Sequence, residues 1–412
     1  MRYICFNCFE DEHLQRIIQS SHSVATCTEC GSIAEAISVN DLGKLIEPIM
    51  SQHFRPGHEI RHFGEDDKDW YEPQGEDMSY IVQEVLGQFF DFEDEIIEAV
   101  IEAEDCWPPD GDIPVWDRAS LYEPVSVRHS AFSTDWHRIQ EELKHSRRFF
   151  STAAKEFFDK IFCDLDKLNA WVDSTQGPVI SVLPAQTKLF RARRCADDSQ
   201  LSKFFQDPLG QVGPPSSEDS RSGRMNPEGI TVLYSSLEVD TCLAELRPSL
   251  ASRIALIALE TVRPLRLLNF NLLDIARHRD SLSYFQEDFK EQVELRVFLH
   301  RLHRLIANPI ASGNESDYLI TQVMAEYLAH VCQHELDGIQ FRSVQKSDGN
   351  NIVIFSVSSF RESDRFPIRY VAGSLELHET QTISYSHRKL STYEIDGSVV
   401  VSSFEGYEDW DS

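Results

Sequence analysis

The sequence predicts an α+β protein with a small N-terminal zinc knuckle, a helical middle domain and a C-terminal domain of mixed α/β structure. Two Cys-x-x-Cys pairs lie within residues 1–40. Apolar residues recur at helical spacing between residues 78 and 170, and short apolar runs of strand length follow after residue 178. Strands and helices of this last part do not alternate regularly, which favours an α+β arrangement over repeated βαβ units.

Size and charge limit the function classes. A chain of 412 residues with 41% apolar content should form two or three globular domains. The net charge of −29 argues against nucleic-acid binding, which usually requires a basic surface. From residue 65 to residue 110 there are 17 carboxylates against one base, which predicts a solvated acidic face; a docking site for a basic partner is the alternative.

The sequence gives no sign of export or membrane insertion. The start of the chain lacks the apolar core of a signal peptide, and no apolar run is long enough to cross a membrane. Nine cysteines, an odd number, do not favour a disulfide framework. We therefore expect a cytoplasmic protein without a membrane partner.

The two cysteine pairs form the first candidate site. Cys5 and Cys8 are separated from Cys27 and Cys30 by 18 residues, a spacing typical of a tetrahedral zinc site with four cysteine ligands. Gly31 follows directly and allows the tight turn of such a knuckle. A segment this short cannot fold on its own apolar core, so the ion would be structural, and a site closed by four cysteines leaves no position for catalysis. Redox dithiols or unbound thiols are the alternatives.

The middle of the chain, residues 41–175, is predicted to be mostly helical. Met78–Ala103 and Trp136–Leu168 show apolar residues at 3.6-residue spacing, and the Pro- and Gly-containing stretch Trp107–Gly111 separates them. Thr175–Pro178 marks the boundary to the next domain, and residues 386–412 are predicted to form an acidic tail.

The C-terminal domain, residues 176–385, is predicted from short apolar runs of strand length that helical stretches interrupt. Its expected strands are Val179–Leu183, Lys188–Ala192, Thr231–Ser235, Ile254–Leu259 and Asn351–Val357. Its expected helices are Val239–Leu246, Tyr284–Leu305 and Ser316–His334.

Arginines and one carboxylate in this domain suggest a site for an anionic ligand. Arg191, Arg193 and Arg194 concentrate positive charge in one predicted strand of an acidic chain. Arg224 follows after a Gly- and Pro-containing loop, and guanidinium groups pair well with phosphate oxygens. Glu245 lies in an apolar helical stretch, where a carboxylate needs a partner or a function. Ion pairing of the arginines with surface acids is the alternative interpretation.

Three segments of this domain together resemble the RES domain family, named after its Arg, Glu and Ser signature residues. The first surrounds Arg191 in Leu-Phe-Arg-Ala-Arg. The second runs from Gly-Arg-Met-Asn at residues 223–226 through the strand tyrosine Tyr234 to Glu245. The third is Asp-Gly-Ile at residues 337–339 followed by Ser343. Their order and spacing agree with the family over about 180 residues; Arg342, where the family often has a small residue, departs from it and would narrow the pocket.

The resemblance implies an ADP-ribosyltransferase-like fold and NAD+ as the substrate, cleaved by hydrolysis or phosphorolysis at the nicotinamide–ribose bond. The catalytic residues would be Arg191, Glu245 and Ser343. Glu245 would bind the hydroxyls of the nicotinamide ribose and stabilise an oxocarbenium-like transition state, while Ser343 would orient the substrate. The other substrate-binding residues would be Arg193, Arg224, Asn226 and Tyr234.

The resemblance also implies a biological setting. Many RES proteins are toxins held by an antitoxin, so we expect a toxin or phage-defence effector with an antitoxin or regulatory protein as partner. A homo-oligomer is also expected. Two other functions stay open: transfer of ADP-ribose to a macromolecule, and a non-catalytic module that binds a partner.

Residues 41–175 resemble the HEPN-like helical extension that some RES proteins carry. HEPN nucleases use an Arg and a His on one helix, separated by four to six residues, and Arg138 with His145 fits this pattern. The pattern is permissive and the region is acidic. We therefore expect a scaffold, sensor or autoinhibitory role for these helices rather than an active nuclease.

Overall fold

The computed structural model describes residues 2–62, 69–105, 114–125, 131–162, 164–172, 175–279, 282–307, 318–356, 365–383, 391–395 and 398–402. Trp107–Gly111, most of the predicted tail, Val357 and the first residues of the predicted helix Ser316–His334 lie outside them. The chain divides into two compact units. Unit 1 comprises Met1–Val182, Ser222–Pro227 and Arg266–Phe341, and unit 2 comprises Leu183–Arg221, Glu228–Leu265 and Arg342–Ser412.

Unit 1 begins with a small antiparallel sheet. Its strands are β1 (Tyr3–Cys5), β2 (Val24–Thr26) and β3 (Ile33–Ser38), in the order β1-β3-β2. A 3-10 turn, Phe6–Cys8, and helix α1 (Glu12–Ser20) connect the first two strands. Asp11 caps α1, because its carboxylate accepts hydrogen bonds from two backbone amides of the first turn.

The described residues that follow in unit 1 form five helices and six short strands. The elements are α2 (Val39–His53), β4 (Phe54–Pro56), β5 (Glu59–His62), β6 (Trp70–Pro73), α3 (Met78–Leu86), α4 (Glu93–Ala103), β7 (Tyr122–Pro124), α5 (Ala131–His145), α6 (Thr152–Phe162), β8 (Asn169–Val172) and β9 (Thr175–Pro178). The stretch Met78–Ala103 forms two helices because Gly87 adopts a left-handed conformation, with φ of 70°, and ends α3. Helices α2 and α4 approach closely at Gly43, where a Cβ would lie 2.4 Å from the carbonyl oxygen of Ala99.

Residues 180–402 contribute the remaining strands and helices. The strands are β10 (Ile180–Leu183), β11 (Lys188–Cys195), β12 (Val232–Ser236), β13 (Arg253–Thr261), β14 (Leu265–Asn269), β15 (Gly338–Arg342), β16 (Asn350–Phe355), β17 (Ile368–Tyr370), β18 (Glu376–Glu379), β19 (Ser391–Ile395) and β20 (Ser398–Ser402). The helices are α7 (Asp198–Gln206), α8 (Pro208–Val212), α9 (Val239–Glu245), α10 (Phe270–Arg279), α11 (Phe289–Ala307) and α12 (Leu319–Glu326), and α12 continues into a π-helix, Tyr327–Val331.

The sheet of unit 2 is antiparallel, with strand order β16-β12-β11-β13-β17 and β18 also paired to β13. In unit 1, β10, β14 and β15 follow one another, and β14 pairs with β15 in parallel. Strands of both directions together with many helices confirm the α+β prediction. In the described parts of the chain, no helix is long and apolar enough to cross a membrane.

An aromatic core joins N-terminal helices of unit 1 to a helix from the second half of the chain. Trp136 of α5 and Phe157 of α6 both contact Phe298 of α11, with ring centroids 5.7 and 5.6 Å apart. In addition, the hydroxyl of Tyr327 donates a 2.8 Å hydrogen bond to Asp159 of α6. Helices α5 and α6 therefore share one packed core with α11, and Tyr327 of the π-helix adds a contact to α6.

Candidate functional sites

The four predicted cysteines meet in unit 1. The sulfurs of Cys5, Cys8, Cys27 and Cys30 lie within 4.8 Å of one another, so this group could hold a metal ion. All four are free cysteines, and Cys5 Sγ lies 3.6 Å from Cys8 Sγ and 3.5 Å from Cys30 Sγ, too far for a disulfide. Hydrogen bonds from Ser32 lower the pKa of the exposed Cys30 thiol to about 6, which makes its thiolate available near neutral pH.

The backbone of this cluster has the turn that the sequence predicts. Gly31 has φ of 72°, a left-handed conformation, and its amide donates to the carbonyl of Cys27 over 3.0 Å. The amide of Cys5 donates a hydrogen bond to Cys27 Sγ over 3.3 Å.

The signature carboxylate of unit 2 is the last residue of the short helix α9. Helix α9 follows strand β12 closely, so its direction is set by the sheet. At its first turn, the carboxylate of Glu238 accepts a hydrogen bond from the amide of Asn350. At its last turn, Arg194 donates to the carbonyls of Leu246 and Arg247, which satisfies helix-end acceptors with a cation. The position of Glu245 is therefore fixed from both ends of α9.

Glu245 is half-buried and has two hydrogen-bond donors on one oxygen. Ser343 Oγ donates to Glu245 Oε1 over 2.5 Å, and Asn351 Nδ2 donates to the same oxygen over 2.7 Å. The Ser343 oxygen also accepts from the amides of Gln345 and Lys346, which tightens the loop after β15. The structure thus brings two of the three signature residues together, with Ser343 directly on the carboxylate.

The third signature residue, Arg191, is partly buried in β11 of the same unit. Its Nε donates to the carbonyls of Val212 and Gly213, and its Nη1 donates to the carbonyl of Tyr234 over 2.7 Å. Loss of hydration on burial lowers the pKa of Arg191 to about 10, so the guanidinium stays charged at neutral pH. Among the described residues, Nη2 has no hydrogen-bond partner within the chain.

Cys242 lies within the electrostatic reach of both charges of this site. Burial raises the pKa of the Cys242 thiol to about 12; the positive charge of Arg191 acts against this rise and the negative charge of Glu245 adds to it. Cys242 precedes Glu245 by almost one helical turn. Arg191 and Glu245 therefore flank one buried thiol in unit 2.

The other predicted binding residues have different surroundings. Arg193 is exposed, and its Nη1 donates to the carbonyl of Gln211 over 2.6 Å. Tyr234 is half-buried in β12, opposite Val353 of β16. The arginines of β11 thus bind main-chain carbonyls, a use that the charge pattern of the sequence did not indicate.

Arg224 and Asn226 belong to unit 1, in the loop Ser222–Pro227. Arg224 Nη1 donates to the carbonyl of Ile306 at the end of α11, and the side chain of Asn226 is buried. Gln322 of α12 holds this loop, because its Nε2 donates to the carbonyls of Gly223 and Asn226 and to the hydroxyl of Ser222.

Arg138 and His145, which fit the HEPN pattern, lie on the exposed surface of α5. Arg138 forms an ion pair with Asp135 at 2.9 Å, and the ring of His145 lies 3.6 Å from Glu141. Each residue thus pairs with an acid of its own helix.

Sequence reasoning missed two polar residues of the Glu245 site. Asn351 donates to Glu245, and Ser236 Oγ donates to Asn351 Oδ1 over 2.8 Å. Both are buried, at 7% and 2% exposure. A polar residue at the start of the apolar run Ile352–Phe355 was the available signal, because a buried amide requires partners.

Comparison with known proteins supports the resemblance. The family model of the RES domain matches residues 188–376, which contain all three signature residues. This match supports the RES family for that part of the chain, a family known for NAD+-related toxin function. No curated protein and no solved structure matches the chain.

Proposed function

We propose that the RES domain of this chain cleaves NAD+ at the bond between nicotinamide and ribose, in an ADP-ribosyltransferase-like fold. The observation that carries the proposal is the carboxylate of Glu245, which Ser343 and Asn351 hold through a single oxygen. Arg191 supports the proposal, because its buried guanidinium uses Nε and Nη1 for main-chain carbonyls and can use Nη2 to bind an anionic group of the substrate.

The proposed reaction needs little proton transfer. The carbon–nitrogen bond breaks, its electron pair leaves with nicotinamide, and nicotinamide departs as a neutral molecule. The ribose passes through an oxocarbenium-like state, which a fixed carboxylate stabilises by its charge. A water or phosphate oxygen then forms the new bond to the anomeric carbon. With water, the attacking oxygen releases its proton to solvent. Arg193, Arg224, Asn226 and Tyr234 are the proposed residues for the rest of the dinucleotide.

A Glu245→Gln variant tests this assignment. The amide keeps the size and one acceptor oxygen of Glu245 but removes the charge, so we expect NAD+ loss to fall at least about 100-fold while the thermal midpoint changes little. Purified full-length protein would be incubated with NAD+, and nicotinamide release would be followed by chromatography. Glu379→Gln, at an exposed glutamate of β18, is the matched control. A Glu245→Gln protein that depletes NAD+ at the wild-type rate would show that the assignment is wrong.

The products separate the acceptors and the other functions. NAD+ labelled in its adenylate part gives free ADP-ribose on hydrolysis and ADP-ribose 1″-phosphate on phosphorolysis. Label on protein or nucleic acid instead would mean ADP-ribosyl transfer to a macromolecule. Unchanged NAD+ would favour a non-catalytic module that binds a partner.

We further propose that the cysteine cluster holds structural zinc. A tetrahedral zinc ion with bonds of about 2.3 Å separates its sulfur ligands by about 3.8 Å. The observed separations are close to this, with 3.6 Å between the sulfurs of Cys5 and Cys8 and 3.8 Å between those of Cys8 and Cys27.

By its family, the protein would act as a toxin or phage-defence effector in the cytoplasm. An antitoxin or regulator would be its partner, a homo-oligomer its assembly, and the helices before residue 175 a scaffold or sensor.

A further inference from the structure

The two oxygens of Glu245 have different surroundings. Oε1 accepts both hydrogen bonds of this carboxylate, from Ser343 and from Asn351. Oε2 has no donor within hydrogen-bond distance in the described part of the chain. Two donors on one oxygen fix the rotation of the carboxylate group and leave the other oxygen for a substrate hydroxyl.

The amide of Asn351 is itself held in one orientation. Ser236 lies opposite Asn351 in the pairing of β12 with β16, and its hydroxyl donates to Asn351 Oδ1 over 2.8 Å. Rotating the amide by half a turn would place Oδ1 against Oε1 of Glu245, and two acceptors repel each other. Glu245 therefore selects the orientation that presents the N–H group to the carboxylate, and Ser236 adds a hydrogen bond to that orientation.

Burial makes this chain of contacts rigid. Ser236, Asn351 and Ser343 are 2%, 7% and 4% exposed, so solvent competes little for their hydrogen bonds. The strands that carry Ser236 and Asn351 are paired through their main chains, and this pairing does not require the Asn351 side chain. The side chain is thus available for a role at the carboxylate.

We propose that Asn351 is a positioning residue for the reaction, which acts through Glu245 and keeps Oε2 directed at the ribose hydroxyls. This role rests on the NAD+ cleavage proposed above. A hydrogen bond from a neutral donor to a charged acceptor contributes a free energy that corresponds to a change of about 10- to 100-fold in rate. Asn351→Ala should therefore lower kcat by about 10- to 100-fold, with a smaller change in KM, because the bond matters most as charge develops on the ribose.

The variant Asn351→Asp gives a readout that a purely structural role would not move. It preserves the size of the side chain and the acceptor for Ser236, but it places a second carboxylate beside Glu245. Activity should be low at neutral pH and recover on acidification, because a proton on the introduced carboxylate restores a donor to a charged Glu245. The wild-type protein should lack this recovery.

The experiment measures NAD+ cleavage by the full chain as a function of pH for wild type, Asn351→Ala and Asn351→Asp. Circular dichroism and thermal unfolding report folding, and Asn169→Ala, an exposed asparagine of β8, is the control. A folded Asn351→Ala protein with wild-type kcat, or an Asn351→Asp protein with the wild-type pH profile, overturns the role of Asn351. If the wild-type chain itself spares NAD+, the proposed function fails and this role fails with it.

Discussion

Gly349 lies where the loop after Ser343 meets helix α9, and a side chain there would collide with that helix. A Cβ on Gly349 would lie 2.2 Å from Thr241 Oγ1 and 2.7 Å from Thr241 Cγ2. Thr241 is fully buried, so it has little room to turn away. The carbonyl of Gly349 accepts a 2.9 Å hydrogen bond from the amide of Ser343, which passes any shift on to Ser343.

We therefore expect Gly349→Ala to disturb both folding and the candidate site. Carbon atoms in contact keep about 3.5 Å apart, so the loop would have to move by about 1 Å. Overpacking of this kind costs about 1–3 kcal/mol. The same shift would stretch the 2.5 Å bond from Ser343 to Glu245, and a misplacement of about 1 Å in an active site costs on the order of 100-fold in rate.

Thermal unfolding and NAD+ cleavage measure the two effects separately. Gly177→Ala is the control, because a Cβ there meets nothing within 4 Å. Thr241→Ala removes the two closest atoms, Oγ1 and Cγ2, and leaves only Cβ at 3.0 Å, so the double variant Gly349→Ala/Thr241→Ala should recover part of the stability and rate lost by Gly349→Ala. Wild-type stability and rate in Gly349→Ala, or no recovery in the double variant, would refute this account of the loop.

Two further predictions concern the cysteine cluster and Arg191. Metal analysis of the purified chain should find zinc, and the Cys27→Ser variant should lose the zinc and unfold at a lower temperature. The control Cys195→Ser, at a buried cysteine outside the cluster, should retain the zinc. A wild-type protein without metal would contradict the zinc site. Arg191→Lys should lower the free energy of unfolding by about 2–4 kcal/mol and reduce NAD+ cleavage, because one ammonium group cannot replace the hydrogen bonds to three carbonyls. The control Arg193→Lys, on the exposed surface, should leave the free energy of unfolding nearly unchanged. Equal losses of stability in the two variants, measured by calorimetry, would contradict this difference.

Several elements could be read from local patterns. The runs Thr231–Ser235 and Val239–Leu246 predict a strand and a helix, and the structure has β12 and α9 there. The strand β15 was not predicted, because only the four residues Ile339–Arg342 alternate between apolar and polar. A strand of five residues next to a loop leaves too few alternating positions for a pattern, so its pairing partner decides the conformation.

By itself, the sequence determined the spacing of the cysteine pairs and the order of the Arg, Glu and Ser segments. Both are local properties, because a turn or a motif constrains residues that are close in the chain. Only the tertiary structure decided which groups bind Glu245. Ser343 and Asn351 are 98 and 106 residues away from it, and such contacts depend on how strands pair and loops close.

The partners of the arginines in β11 were also decided by the tertiary structure. Their charge in the sequence suggested anion binding, but the fold directs Arg191, Arg193 and Arg194 to main-chain carbonyls. Carbonyls at loop and helix ends need donors once the surrounding chain has folded over them, and no local pattern records where those ends will lie. Tertiary packing therefore decided that Arg191 supports the framework of the site.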